Sequence, residues 1–160
     1  MSIIYKKMSL FDAEPGSILV HACNAEGIWG SGIAAQIKKR YPKAYERYSI
    51  HCSDIGPSIL GFSTQANILN DKHQICNMIT SSIDSKGPDD IETILINTTL
   101  ALDHFLNRYT SRYVGTPIYS NKFNSGIFNV PWERTEKVLK VLTDRYNVEW
   151  TVCEYESTNS

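Results

Sequence analysis

No stretch of this sequence approaches the roughly 18 apolar residues that a membrane-crossing helix requires, so a helical bilayer span is not expected. Cysteine is sparse. The four that occur, Cys23, Cys52, Cys76 and Cys153, form no CxxC pair and have no histidine at zinc-binding spacing, which removes a disulfide framework and a structural zinc site as organising devices. They are expected to be reduced, buried thiols of a cytoplasmic protein. An excess of one charge sign is also missing. Sixteen Lys and Arg face 17 Asp and Glu, a net charge of −1, so no global positive field draws nucleic acid or an anionic membrane, and a nucleic-acid partner is not expected. The N-terminal Met1–Lys7 carries no apolar stretch of the kind a secretory signal needs. Both common phosphate-loop patterns are absent as well, since no Gly-Lys-Ser/Thr occurs and Gly30-Ser-Gly-Ile-Ala-Ala does not complete GxGxxG.

What is present is enough apolar material for one core. With 160 residues, 42% of them hydrophobic, the chain should bury about 70% of its unfolded surface without staples. No repeat, low-complexity tract or linker divides it, so one domain over residues 1–155 is expected, with residues 156–160 a frayed tail.

Short strands are expected at Ile3–Tyr5, Ile59–Phe62, Ile75–Thr80 and Thr116–Ser120. The nearly continuous apolar run Ser17–Cys23 reads as a strand covered on both faces. Val148–Tyr155 alternates, as a strand with one exposed face would. Helices are expected over Ile33–Arg40, with cations in the last turn, and from Pro42 to about Gly56. A longer one should start at an Asp89 or Asp90 cap and carry Ile91, Leu95, Leu102, Phe105 and Leu106 on one face; the last follows Pro131 with Val138, Leu139 and Leu142. Strands interleaved with helices predict an α/β fold, a three-layer α/β/α sandwich around a mixed central sheet.

Two strand-to-helix junctions bear glycine, Asn24–Gly32 and Phe123–Pro131. Ligands of α/β sheets sit beyond the carboxyl ends of the strands, and a glycine-bearing turn entering a helix aims main-chain N–H groups and the positive helix end at an anion. Two such loops face to face would hold a diphosphate without a lysine. A phosphate-bearing nucleotide ligand is therefore expected, although turn formation alone would also account for one such glycine loop.

The residues of these loops also resemble a known family. Val20-His-Ala-Cys-Asn-Ala-Glu-Gly-Ile-Trp-Gly-Ser-Gly-Ile-Ala-Ala-Gln-Ile, followed by Arg40-Tyr-Pro-Lys-Ala, resembles the first ligand loop and helix of macro domains. Phe123-Asn-Ser-Gly-Ile-Phe-Asn-Val-Pro-Trp resembles their second, phosphate-gripping loop. Within the family, the likeness is to the small ADP-ribose 1″-phosphate phosphatases, which share HxCNxxGxWGxGIA and NSGIFxVPW. Lys7–Phe11 and Ile75–Ser82 are also similar to family strands, so the resemblance covers most of the chain.

The resemblance implies a macro fold that binds an ADP-ribose derivative above the sheet and removes the phosphate of ADP-ribose 1″-phosphate with no cofactor or metal. It implies that Asn24 meets the distal ribose and that main-chain amides of Gly30, Ser31, Gly32, Ile33 and Ala34 hold the diphosphate from one side. Ser125, Gly126, Ile127 and Phe128 would hold it from the other, with Ala22, Cys23 and Asn124 alongside. Ser9 and Leu10 would lie near the adenine; Ser9 stands where many macro domains carry an Asp for the adenine amino group, so that contact falls to backbone or is weaker. Ser81 and Phe128 occupy places where an ADP-ribosyl-hydrolase branch has a lysine and an aspartate, which argues against removal of ADP-ribose from proteins.

His21 is the histidine inside a motif, and a neutral imidazole there is expected to act as a base beside Asn24. Cys23 lacks a cationic cradle and is expected to pack rather than attack. Trp29 and Phe128 are expected to close over the distal ribose, Asp12 and Glu26 to be solvated near the cleft, and His51, His73 and His104 to lie on the surface. A phosphatase acting on a small molecule, without a membrane partner and monomeric, is the reading; a non-catalytic ADP-ribose-binding module and an ADP-ribosyl-protein hydrolase are the alternatives.

Overall fold

A computed structural model describes residues 2–154; Met1 and residues 155–160, including the tail expected to fray, lie outside the described residues. The apolar run beginning at Ser17 becomes β2 (Ile18–Asn24), which pairs in parallel with β4 (Gln74–Ser81) on one side and β7 (Ile118–Ser120) on the other. Beyond β7 lie β8 (Trp150–Cys153) and β1 (Ile3–Lys6), both parallel, while β3 (Ser63–Ala66) closes the opposite edge antiparallel to β4. The six-stranded order is β1-β8-β7-β2-β4-β3.

Alternation along β2 divides the interior. Leu19 and Cys23 enter a core with Ile37 of α1 (Gly32–Arg40) and Ala44 and Tyr48 of α2 (Pro42–Ile55). Ile18 and Val20 enter the other, with Phe105 of α3 (Ile91–Arg112), Leu139 of α4 (Trp132–Tyr146) and Trp150. Apolar side chains on both faces need helices on both faces, and the result is the expected three-layer α/β/α sandwich with a mixed sheet. Local signals set the helix ends. Pro42 sits in the first turn of α2, and the Asp90 carboxylate caps α3 by accepting from Thr93 N at 2.8 Å. All four cysteines are buried and unpaired. Among the described residues no helix is long and apolar enough to cross a membrane.

Four expectations need correction. Ile59–Phe62 is not a strand: a 3-10 turn ends at Ile59, and the chain then bends through Gly61, whose φ of +83° no extended strand adopts. Pairing resumes only at Ser63. β8 has no exposed face, because it lies between β1 and β7 with all four residues buried. Lys7–Phe11 does not continue β1; Ser9 caps a 3-10 turn at Leu10–Asp12. His73 is buried rather than superficial, its Nε2 donating to the Ala13 carbonyl at 2.7 Å and its Nδ1 accepting from Tyr41 at 2.5 Å. A small hairpin, β5 (Ile83–Asp84) with β6 (Gly87–Pro88), was not expected.

The connection after β2 runs to α1 on one face and that after β7 to α4 on the other, while β2 and β7 are neighbours. A crevice must open between two adjacent parallel strands whose chains leave in opposite directions. Both glycine loops border it.

Candidate active site

A cavity of about 230 Å³ occupies this crevice. Its wall is formed by Ala22–Asn24 at the end of β2, by Ile28–Ala34 and by Asn121–Asn124 with Gly126–Phe128. Ile83 of the small hairpin completes it.

Asn24 organises the first loop. Its Oδ1 accepts from Glu26 N at 3.1 Å and Ile28 N at 3.2 Å, and its Nδ2 donates to the Ile28 carbonyl at 2.7 Å. The Tyr48 hydroxyl donates to the Asn24 carbonyl at 2.5 Å and lies 2.9 Å from Oδ1. One amide hydrogen of Asn24 is left for a ligand. Trp29 then packs between rings that α2 supplies: Tyr48 stacks on it at 4.9 Å and Tyr45 tilts at 5.2 Å, with His21 edge-on at 4.8 Å. Tyr41, Tyr45 and Tyr48 share spacings of four and three residues, and that stripe was the sequence signal for this support.

The second loop is held from below. Asn124, at φ +68°, sends its side chain into the scaffold, where Oδ1 accepts from Thr80 Oγ1 at 2.8 Å and Nδ2 donates to Thr98 Oγ1 at 2.9 Å. Backbone bonds from Val130 N to the Asn124 carbonyl and from Asn129 N to the Gly126 carbonyl close the turn. Its tip therefore stands on a buried polar chain linking β4, α3 and the loop, and buried polar groups paired this fully are rigid.

Both walls present main-chain donors with nothing to donate to. Ser31 is the N-cap of α1, yet its hydroxyl accepts no helix N–H, and no acidic residue occupies the first turn. No acceptor among the described residues takes the N–H groups of Gly32, Ile33 and Ala34, or those of Gly126, Ile127 and Phe128. The uncapped N-terminus of a nine-residue helix adds its partial positive charge to the same cavity. Such a surface suits an anion with oxygens on more than one side.

His21 stands behind this surface rather than in it. It is fully buried, and it does not line the cavity. Nε2 donates to Asn77 Oδ1 at 2.8 Å, and Cys23 Sγ lies 3.4 Å from Nε2. The role expected of His21 as a base in contact with the attacking water is thus corrected, because both ring nitrogens face protein atoms. Burial pushes its pKa down to about 4, against the favourable hydrogen bond that the ring donates to Asn77, and burial pushes the Cys23 thiol well above its usual range. The unfolded chain, with an ordinary value of 6.5, binds this proton before the folded one does. Stability is full above pH 6.5 and falls as the pH drops toward 4, by about 3 kcal/mol from this group. Urea unfolding at pH 7 and pH 4.5 is expected to show most of that loss, about 2 kcal/mol, and His21→Gln should remove this part. An unchanged difference between the two pH values would show that His21 is not the buried neutral group.

The remaining expected residues divide clearly. Ala22, Cys23, Asn24, Trp29, Gly30, Ser31, Gly32, Ile33, Ala34, Asn124, Gly126, Ile127 and Phe128 all line the cavity. Ser125 does not; its hydroxyl donates to the Lys122 carbonyl. Ser9 and Leu10 do not either, since Ser9 caps its turn and Leu10 is buried in the core beside α1. Trp29 and Phe128 are wall rather than lid, at 2% and 8% exposure, while Ile28 and Ile127, more than half exposed, are the apolar groups at the rim. Glu26 is not simply solvated: Oε1 accepts from Ile83 N at 2.7 Å and ties the first loop to the hairpin. Ile83, Lys122 and Tyr48 were not singled out from sequence.

The sequence profile of the Macro domain matches residues 20–139. A curated relative from Saccharomyces cerevisiae, named ADP-ribose 1″-phosphate phosphatase, is 35% identical over 145 residues, covering 77% of this chain and 82% of its own. Among solved structures, the macrodomain of Mycobacterium tuberculosis DarG superposes with a TM-score of 0.79 at 21% identity, covering 98% of both chains. Thermosipho africanus DarTG in complex with ADP-ribose superposes with a TM-score of 0.78 at 12% identity over all of this chain and 43% of its own.

Proposed function

Because the chain belongs to the macro domain family, we propose that its cavity binds ADP-ribose 1″-phosphate and hydrolyses it to ADP-ribose and inorganic phosphate. The observation that carries this reading is the pair of facing walls with unengaged main-chain N–H groups. Their number and placement suit a diphosphate, and donors fixed before the ligand arrives need no reorganisation as charge builds on phosphoryl oxygens. A water oxygen attacks phosphorus, the bond from phosphorus to the anomeric oxygen breaks, and that oxygen takes a proton to become the hydroxyl of ADP-ribose. Asn24 directs its remaining amide hydrogen at the distal ribose. His21 acts as a positioning residue, holding Trp29 and the end of β2.

One observation favours a second reading, a module that binds ADP-ribose without chemistry. Among the described residues no carboxylate and no imidazole lines the cavity. Phosphate release from ADP-ribose 1″-phosphate, measured beside calorimetric titration with ADP-ribose, separates the two. Steady release with an unshifted pH profile in His21→Gln is expected; binding without release would overturn the phosphatase reading, and a lost acid limb in the variant would return the base role to His21.

A further inference from the structure

Among the described residues, Lys122 is the single charged one that lines the cavity. It stands on the loop after β7, two residues before Asn124 and four before Gly126. Its ammonium lies 2.8 Å from Glu154 Oε2, just beyond β8, and the two side chains are 40% and 37% exposed. Water and salt screen such a pair, so it holds the fold together only weakly and is readily exchanged. Sheet order shows which end of the crevice it occupies. The strands run β8, β7, β2, β4, so their carboxyl ends set out Glu154, Lys122, Asn24 and Ser81 in that sequence. Under the phosphatase reading, on which this inference rests, Asn24 takes the distal ribose; the adenosine end of the ligand then points toward β7 and β8.

We infer that Lys122 meets the ligand's diphosphate from the adenosine side and gives up Glu154 for it as the ligand enters. Phosphate oxygens held against the amide walls lie in a less polar setting than the part-exposed Glu154 carboxylate, and the same attraction is stronger there. The backbone on both sides is fixed during this exchange. Glu154 N donates to the Lys6 carbonyl at 2.7 Å, and the Lys122 carbonyl accepts from Ser125. Only the flexible four-carbon stem of the lysine has to move. Glu154 is then a competitor of the ligand, and removing its charge should help binding.

Calorimetric titration of the full chain with ADP-ribose at low and high salt tests this. Lys122→Met is expected to weaken binding about tenfold at low salt and to flatten its salt dependence, while Glu154→Gln tightens it about threefold. In the double variant the Glu154 change should have no further effect. Weaker or unchanged binding in Glu154→Gln overturns the inference. A loss in Lys122→Met seen with ADP-ribose 1″-phosphate but not with ADP-ribose would place the lysine on the phosphomonoester and overturn it too. Wild-type protein that binds ADP-ribose yet releases no phosphate removes the phosphatase reading alone, and the same titrations still decide on Lys122; wild-type protein that binds neither ligand removes both.

Discussion

Gly126→Val is expected to weaken ADP-ribose binding by on the order of a hundredfold or more while leaving the melting temperature unchanged. The reason is that nothing in the protein requires glycine at this position. Its φ lies outside the left-handed region, and a Cβ there would meet no atom within 4 Å. Gly30 is similar, with only Ile28 Cγ2 at 3.7 Å, an ordinary contact. Both nevertheless line the cavity, each in the middle of a loop with unengaged N–H groups. A side chain is absent where the only thing it would obstruct is a ligand approaching the main chain. Gly61 is the control. There φ is +83° and a Cβ would lie 3.1 Å from Leu100 Cδ1, well away from the cavity lining, so Gly61→Ala should lower the melting temperature and spare binding. If Gly126→Val bound ADP-ribose like the wild type, the ligand would not lie against this loop.

Asn24→Ala should cost both activity and stability. The change strands the N–H groups of Glu26 and Ile28 and removes an acceptor near the Tyr48 hydroxyl, all in a region where Asn24 itself is 8% exposed. An unsatisfied buried donor costs about 1–3 kcal/mol, and some of these can turn to water, so a net loss of about 2–4 kcal/mol is expected in denaturant unfolding. Phosphate release should fall by on the order of a hundredfold or more, since the loop that places Trp29 through Ala34 loses its organiser. Asn24→Asp separates the two effects. It keeps the acceptor for both N–H groups, so much of the stability should return, but it loses the donor and adds a negative charge beside a polyanion. Activity recovering together with stability would mean that Asn24 serves the fold and not the ligand.

Where the fold was legible, one strong local signal was present. The apolar run into Cys23 could only be a strand covered on both faces, and Asp90 before Ile91 could cap a helix with its own side chain. Both glycine loops were legible because turn residues cannot be exchanged freely where an anion must approach main chain. Partners distant in sequence were the difficulty. His21 sits inside a ligand motif, and only Asn77, 56 residues on, together with the Tyr45 and Tyr48 rings packed around Trp29, reveals that it supports the wall from behind. Trp29 likewise reads as a lid from its place in a loop until α2 is seen to enclose it. Strand β8 alternates in sequence, yet its burial depends on β1, which comes from the opposite end of the chain. The β5–β6 hairpin has two residues per strand, too few for any periodicity; its place depends on Glu26 and on Asp89, which accepts from Ser82 N.

The central claim is that two facing sets of uncharged main-chain donors grip the diphosphate. Amide nitrogen–proton NMR spectra recorded during titration with ADP-ribose test it most directly. The largest shifts are expected at Gly30–Ala34 and Gly126–Phe128, with the α2 amides nearly still. Shifts concentrated at the cationic end of α1, Lys38–Arg40, with those two loops unmoved, would contradict it.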